Sequence, residues 1–299
     1  MRNTIREGAA HKSTIGGPHS VLRYLPMALA LWLLAGVTHF TIAPQAQHLP
    51  VDYAAETSYA ARCRYRDTPR GAWQNFDLVV RRVDQTLVAS AGNTIIEGDI
   101  HWTTAAGEVT YESAGIYGVD RHTRANLSGY GNTQRLGQFL FPPHVRPTTY
   151  QLWDPFYSGP RTATFHHATI VDGLQVYVFD CRARDIDDTA AYTFLAHVPE
   201  RHHAYSTGGG RMWVEPISGV VIDFEDSGKS YFGEPLSGKS VADFYFWDAR
   251  YTPETKAAQL QQALAVRRHI LALEVWLPLG FLLAGLIWLS PAVRRSSPS

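Results

Sequence analysis

Two long apolar runs stand near the ends of the chain, and alternation of period two fills most of the stretch between them. The first run, residues 25–43, is LPMALALWLLAGVTHFTIA, and the second, residues 270–289, is ILALEVWLPLGFLLAGLIWL. Each has about the 20 residues a helix needs to cross hydrocarbon at about 1.5 Å per residue. His39 is the only ionisable residue in the first run, and Glu274 and Pro278 interrupt the second. Membrane helices tolerate a proline, and a carboxylate near a boundary can snorkel or stay protonated.

Between the runs the pattern predicts strands. Tyr59, Ala61, Cys63 and Tyr65 share one face while Arg62, Arg64 and Arg66 share the other; Ile96, Ile100 and Trp102 likewise oppose Glu97, Asp99 and His101. Such alternation marks half-buried strands. Asp172-Gly173 predicts a tight hairpin turn between 165–171 and 174–184, and 216–219 predicts another between 212–215 and 220–224. The strand after Asp172-Gly173 is apolar on both faces, as expected of a strand away from the sheet edge. Only after Pro253 does a helical pattern return.

The expected architecture is mainly β: an antiparallel domain, sandwich-like or a curved sheet, flanked by one transmembrane helix at each end. Its segments are 1–24, a cytoplasmic N-terminus; 25–43, the first span; 44–252, an extracytoplasmic β domain; 253–269, a juxtamembrane helix; 270–289, the second span; and 290–299, a cytoplasmic tail. Orientation follows from Arg2, Arg6, Lys12 and Arg23 before the first span and the absence of Lys or Arg over 44–61. Arg267 and Arg268 leave the second span ambiguous by itself. A cleaved signal peptide is the rival reading of the first run, and no small-x-small site stands clear of Pro44. The location expected is the cytoplasmic (inner) membrane, spanned twice.

Charge changes the picture little. With 27 basic and 27 acidic side chains, there is no basic excess of the kind a nucleic-acid binder carries. Cys63 and Cys181 lie on apolar strand faces, and an oxidising compartment makes them a candidate disulfide. Gly233 to Ser240 matches G-x-x-x-x-G-K-[ST] literally. The pattern needs a helix after the loop, whereas strand-like aromatics follow here and Pro235 removes an amide. A turn between strands is the expectation, with no nucleotide and no cofactor.

Three runs resemble the bacterial membrane-protein family labelled PorA, otherwise a family of unknown function. They are Tyr117-Gly118-Val119-Asp120-Arg121 with Thr123; Gly137-Gln138-Phe139-Leu140-Phe141-Pro142-Pro143 with Tyr150, Trp153 and Asp154; and Met212-Trp213-Val214-Glu215-Pro216 with Ser218-Gly219-Val220. The layout of anchor, β domain, helix and anchor is similar too. The resemblance implies a cell-envelope protein that handles envelope lipid, and it brings no catalytic residues. The porin label implies a pore, which one chain with two helices does not enclose.

Other constellations point weakly to chemistry. His166-His167 and His202-His203, with His101, His144 and His197, are separated along strands and loops, and no metal ligand set is assigned. Glu215, Asp223 and Glu225 on one hairpin could pair as acid and base, yet alternating exposed carboxylates look the same. No G-x-S-x-G or HExxH occurs. The chain has 8 Trp, 15 Tyr and 13 Phe, enough rings to line an apolar pocket; Trp153, Phe156 and Tyr157 are the ones expected near a cleft. The reading is therefore a non-enzymatic envelope protein whose outer domain binds or moves a lipophilic component. Its alternatives are an assembly partner of other membrane proteins, with Gly280, Ala284 and Gly285 as a packing face, a pore built from several copies, or a glycan or lipid hydrolase.

Overall fold

The computed structural model describes residues 19–156, 159–189 and 202–296. They fall into two compact units, Gln47–Ile270 and a second made of Met1–Ala46 with Leu271–Ser299.

The larger unit holds eleven strands among the described residues: β1 Ala54–Tyr65, β2 Gln74–Ala89, β3 Asn93–Thr104, β4 Val109–Asp120, β5 Asn126–Gly131, β6 Thr149–Asp154, β7 Gly159–Val171, β8 Leu174–Asp187, β9 His203–Val214, β10 Val221–Gly233 and β11 Ser240–Tyr251. They form one antiparallel sheet in the order β5-β4-β3-β2-β1-β11-β10-β9-β8-β7-β6. Of the two architectures expected, the curved sheet is the one formed, nearly closed and barrel-like. The hairpin turn at Asp172-Gly173 has positive φ at both residues, as a type I′ turn requires.

The seam between the two edge strands is bridged by residues 137–139. Gln138 pairs antiparallel with Ala125, beside β5, and parallel with Leu152 of β6. Four backbone bonds hold the bridge: the amide of Asn126 donates to Gly137, Phe139 to Arg124, Gln138 to Gln151 and Trp153 to Gln138, at 2.7 to 2.9 Å. Satisfying edge groups this way removes a template for unwanted pairing.

The inner face is filled by rings. Tyr59 lies 5.2 Å from Phe156 and 5.3 Å from Phe224, centroid to centroid, and Phe141 lies 5.0 Å from Phe179. The strand β8 is buried on both sides, as its pattern predicts: Phe179 and Cys181 face this interior, while Leu174 and Val176 pack with Ala263 and Leu260 of helix α3, Pro253–Leu271.

In the smaller unit, α1 (His19–Val37) continues through a π-helical turn, Thr38–Ile42, into α2 (Ala43–Ala46), and a π-helical turn, Ala272–Trp276, precedes α4 (Leu277–Ser296). Arg23–Ala46 and Pro253–Ser290 are helices long and apolar enough to cross a membrane. The pairing in this unit is antiparallel: Tyr24 meets Trp288 at 6.2 Å, Trp32 Nε1 donates to the Leu282 carbonyl at 3.3 Å, and His39 bonds the Glu274 carbonyl at 2.9 Å. Gly285 lies under the Trp32 indole, so that part of the small-residue face is used within the chain.

Candidate functional site

Many of the motif residues gather at the two places where the chain enters and leaves the β domain. At the entry, Asp120 Oδ1 accepts the amides of His122 and Thr123 at 2.9 and 2.7 Å, closing the turn after β4. Burial alone would raise the Asp120 carboxyl, but the hydrogen bonds from Thr123 and His122 outweigh it and hold the group below its ordinary value. Arg121 Nε donates to the Leu49 carbonyl at 2.7 Å and its Nη1 to Ser90 and Ala91, while Arg124 Nη2 donates to Gln47 at 2.7 Å. The segment arriving at β1 is thus pinned by two guanidinium groups.

At the exit, Glu215 is fully buried at the head of the turn between β9 and β10. Its Oε2 accepts the Ser218 amide at 2.7 Å, and its Oε1 receives Arg267 of α3, also at 2.7 Å. Lys256, one turn into α3, pairs with Asp223 at 2.6 Å. The second and third motifs then interlock. Val145 donates to Pro216 at 2.7 Å and His144 to Ile217 at 3.1 Å. Gly219, at φ +76°, lies against the carbonyls of Phe141 and Pro142, just before Pro143; a Cβ there would stand 2.6 Å from the Pro142 oxygen. Trp213 packs beside α3 in the cluster of Leu174, Val176 and Ile222.

Gly137, Gln138 and Trp153 belong to the seam, and Asp154 leads inward. Asp154 Oδ2 accepts Arg161 Nη1 at 2.8 Å, and the same guanidinium bonds Asp226, whose other oxygen receives Trp247 Nε1 at 2.8 Å. Arg161 is completely buried. Sequence reasoning missed Arg161 and Asp226, although the signal was present: Arg161 is in phase with Ala163 and Phe165, and Asp226 with Phe224.

The remaining candidates separate. The expected disulfide is corrected: Cys63 and Cys181 are free and buried. They sit on β1 and β8, with β11, β10 and β9 between them, and in different apolar clusters. The Cys63 sulfur lies 3.1 Å from the Tyr245 hydroxyl; burial pushes the Cys181 thiol up to about 12. Residues 233–240 are a hairpin between antiparallel strands. Glu215 and Asp223 are each committed to α3, whereas Glu225 stands on the outer face beside Arg250 in register. His166 pairs with Asp180 and His203 with Asp187, and no three His, Cys, Asp or Glu groups converge among the described residues. Trp153 and Phe156 pack inward; Tyr157 and His197 lie outside the described residues.

His39 and Glu274, the ionisable residues of the apolar runs, come together for a backbone reason. Pro278 has no N–H, so the carbonyl of Glu274, four residues earlier, loses its α-helical donor. His39 Nδ1 supplies that donor. Each π-helical turn ends two residues before a proline, Pro44 or Pro278.

A family model described as porin PorA matches residues 24–293. The chain belongs to that family. The residues matched run from the first apolar helix to the end of the second. Among solved structures, a LolA superfamily protein of Nitrosomonas europaea is similar over 75% of this chain and 91% of that one, at 12% identity and a TM-score of 0.15. So low a score adds nothing to the strand order of this PorA-family member. No curated protein matches.

Proposed function

We propose that this PorA-family chain is a non-enzymatic component of the cell envelope, anchored in the cytoplasmic membrane by both apolar helices. Its β domain lies outside and serves in assembly with other membrane proteins. The observation that carries this reading is how motif residues are used: Arg121, with the neighbouring Arg124, clamps the entry to the domain, and Glu215, with Arg267 of α3, clamps its exit. Both clamps lie within the β unit, where they fix the segments by which the chain enters and leaves it.

A carrier of lipid needs an enclosed apolar cavity. Two concavities among the described residues are open and bordered by charged side chains, and the interior is occupied by rings and Arg161. A packed interior likewise offers no conduit through one β domain, so a pore would have to come from several copies.

Cross-linking in intact membranes tests the assembly reading, with a defined partner or a defined oligomer as the expected result. Recovery of the monomer alone would count against it. Mass spectrometry of the purified chain after delipidation is the companion measurement, since stoichiometric lipid held by the β domain would restore the carrier reading.

A further inference from the structure

We infer that the outer face of the β8–β11 sheet is a binding site for an uncharged glycan. This rests on the reading of that domain as extracytoplasmic. The strand register brings two rows of side chains together there. In one row Asp180, Arg211, Glu225 and Arg250 stand directly opposite one another on β8, β9, β10 and β11, so that acid and base alternate at every step. In the adjacent row, two residues along each strand, Arg182 and Asp248 stand at the ends and Gly209 and Ser227 between them. Glycine and serine leave a trough where the neighbouring row has long side chains. Its volume is about 500 Å3, within the usual range for a ligand site.

Three features select the ligand class. First, Arg182, Arg211 and Arg250 balance Asp180, Glu225 and Asp248, so the trough has no net field to draw in an ion. The neighbouring Asp226 carboxylate is spent inward on Arg161 and Trp247. Second, donors and acceptors alternate at the strand spacing of about 4.8 Å, comparable to one pyranose ring. A hydroxyl both donates and accepts, so a polyol laid across the strands meets both kinds of group. Guanidinium forks and carboxylates bind two neighbouring oxygens at once, as a vicinal diol presents them.

Third, two of the six charged groups are not consumed by the others. Arg211 turns to Asp180 at 3.1 Å and Arg250 to Asp248 at 3.5 Å. Glu225, between those two arginines in register, is left without an ion pair among the described residues, and Arg182 is left likewise. Gly209 has no side chain to stand between its backbone and a ligand in the trough.

The test uses the full chain in lipid nanodiscs, with saturation-transfer NMR and calorimetric titration. The neutral probes are maltohexaose, cellohexaose and mannohexaose, and the charged probe is hexagalacturonate. At least one neutral hexasaccharide should bind, and Ser227→Trp, which fills the trough from an exposed position, should weaken it at least tenfold. Glu225→Gln with Arg182→Gln, which leaves the trough open, should do the same with an unchanged melting temperature. The inference is overturned if no neutral probe binds, if binding survives both variants, or if hexagalacturonate binds more tightly than every neutral probe. These outcomes are read on purified protein. A topology reporter fused near residue 150 instead reads the compartment, so the two readings fail separately.

Discussion

Asp188 is a carboxylic acid placed where its charge is expensive. It is buried at the end of β8, bonded through Oδ2 to Ser206, which in turn meets Ser230 at 2.7 Å, and its Oδ1 has no partner among the described residues. Burial raises the carboxyl to about 7; the Ser206 hydrogen bond opposes that shift and Asp187 adds to it. Because the folded value is raised, the native chain keeps a proton that the unfolded chain releases above about pH 3.8. Stability present below that pH is lost as pH rises through 7, a change of about 2–4 kcal/mol at about 1.36 kcal/mol per unit. Asp188→Asn should therefore raise the melting temperature at pH 8 and leave it nearly unchanged at pH 4. Equal effects at both would exclude a titrating Asp188. The two thiols make a second case: Cys63 and Cys181 should stay unlabelled by a maleimide in the folded chain and both react after denaturation, whereas a bridge would hide them in both states. At this scale the sequence was legible in phase but not in partnership. Arg161 and Asp226 can be found as charges on an apolar face, yet nothing local says that strands 65 residues apart bring them together.

The clamp between β9–β10 and α3 depends on one ion pair with a fully buried acid and a partly exposed base. Removing one partner of a buried pair leaves the other charge uncompensated, which costs more than removing both. Arg267→Met should cost about 2–3 kcal/mol, discounted for the exposure of Arg267, and Glu215→Gln in the same chain should recover much of that. Gln keeps an oxygen for the Ser218 amide. A double-mutant cycle by denaturant unfolding in detergent measures the coupling, and simple additivity would mean no clamp. The helix pair offers a cleaner cycle. His39→Leu should weaken the pairing by about 1 kcal/mol, but with Pro278→Ala the Glu274 carbonyl regains its own helical donor and the loss should vanish. Equal losses in both backgrounds would refute the link. Apolar length and hairpin turns were readable because they are local properties. The π-helical turns were not, since one of them lies where Pro278, the Glu274 carbonyl and a histidine 235 positions away meet.

Whether the eleven strands behave as one body is decided at the seam, which is the feature of the whole molecule least visible in its pattern. Alternation predicts strands and turns predict neighbours, but a sandwich and a curved sheet have the same local signals. What separates them here is residues 137–139, a stretch with no strand periodicity that pairs with both edges. Gly137 permits it: φ is +78°, and a Cβ would stand 2.4 Å from the Gln151 carbonyl oxygen. Gly107 supplies the control, with φ +84° and nothing near its missing Cβ. Gly107→Ala should cost only the backbone preference, about 1–2 kcal/mol. Gly137→Ala adds the clash and should cost more, and it should speed hydrogen exchange at the amides of Asn126, Gln138, Phe139 and Trp153. Exchange in the β7–β8 hairpin around Leu174 should not change if the opening is local. If those distant amides accelerate in step with the seam, closure supports the whole sheet and the domain unfolds as one cooperative unit; if the seam amides do not respond at all, the two edges are held by something other than the Gly137–Phe139 bridge.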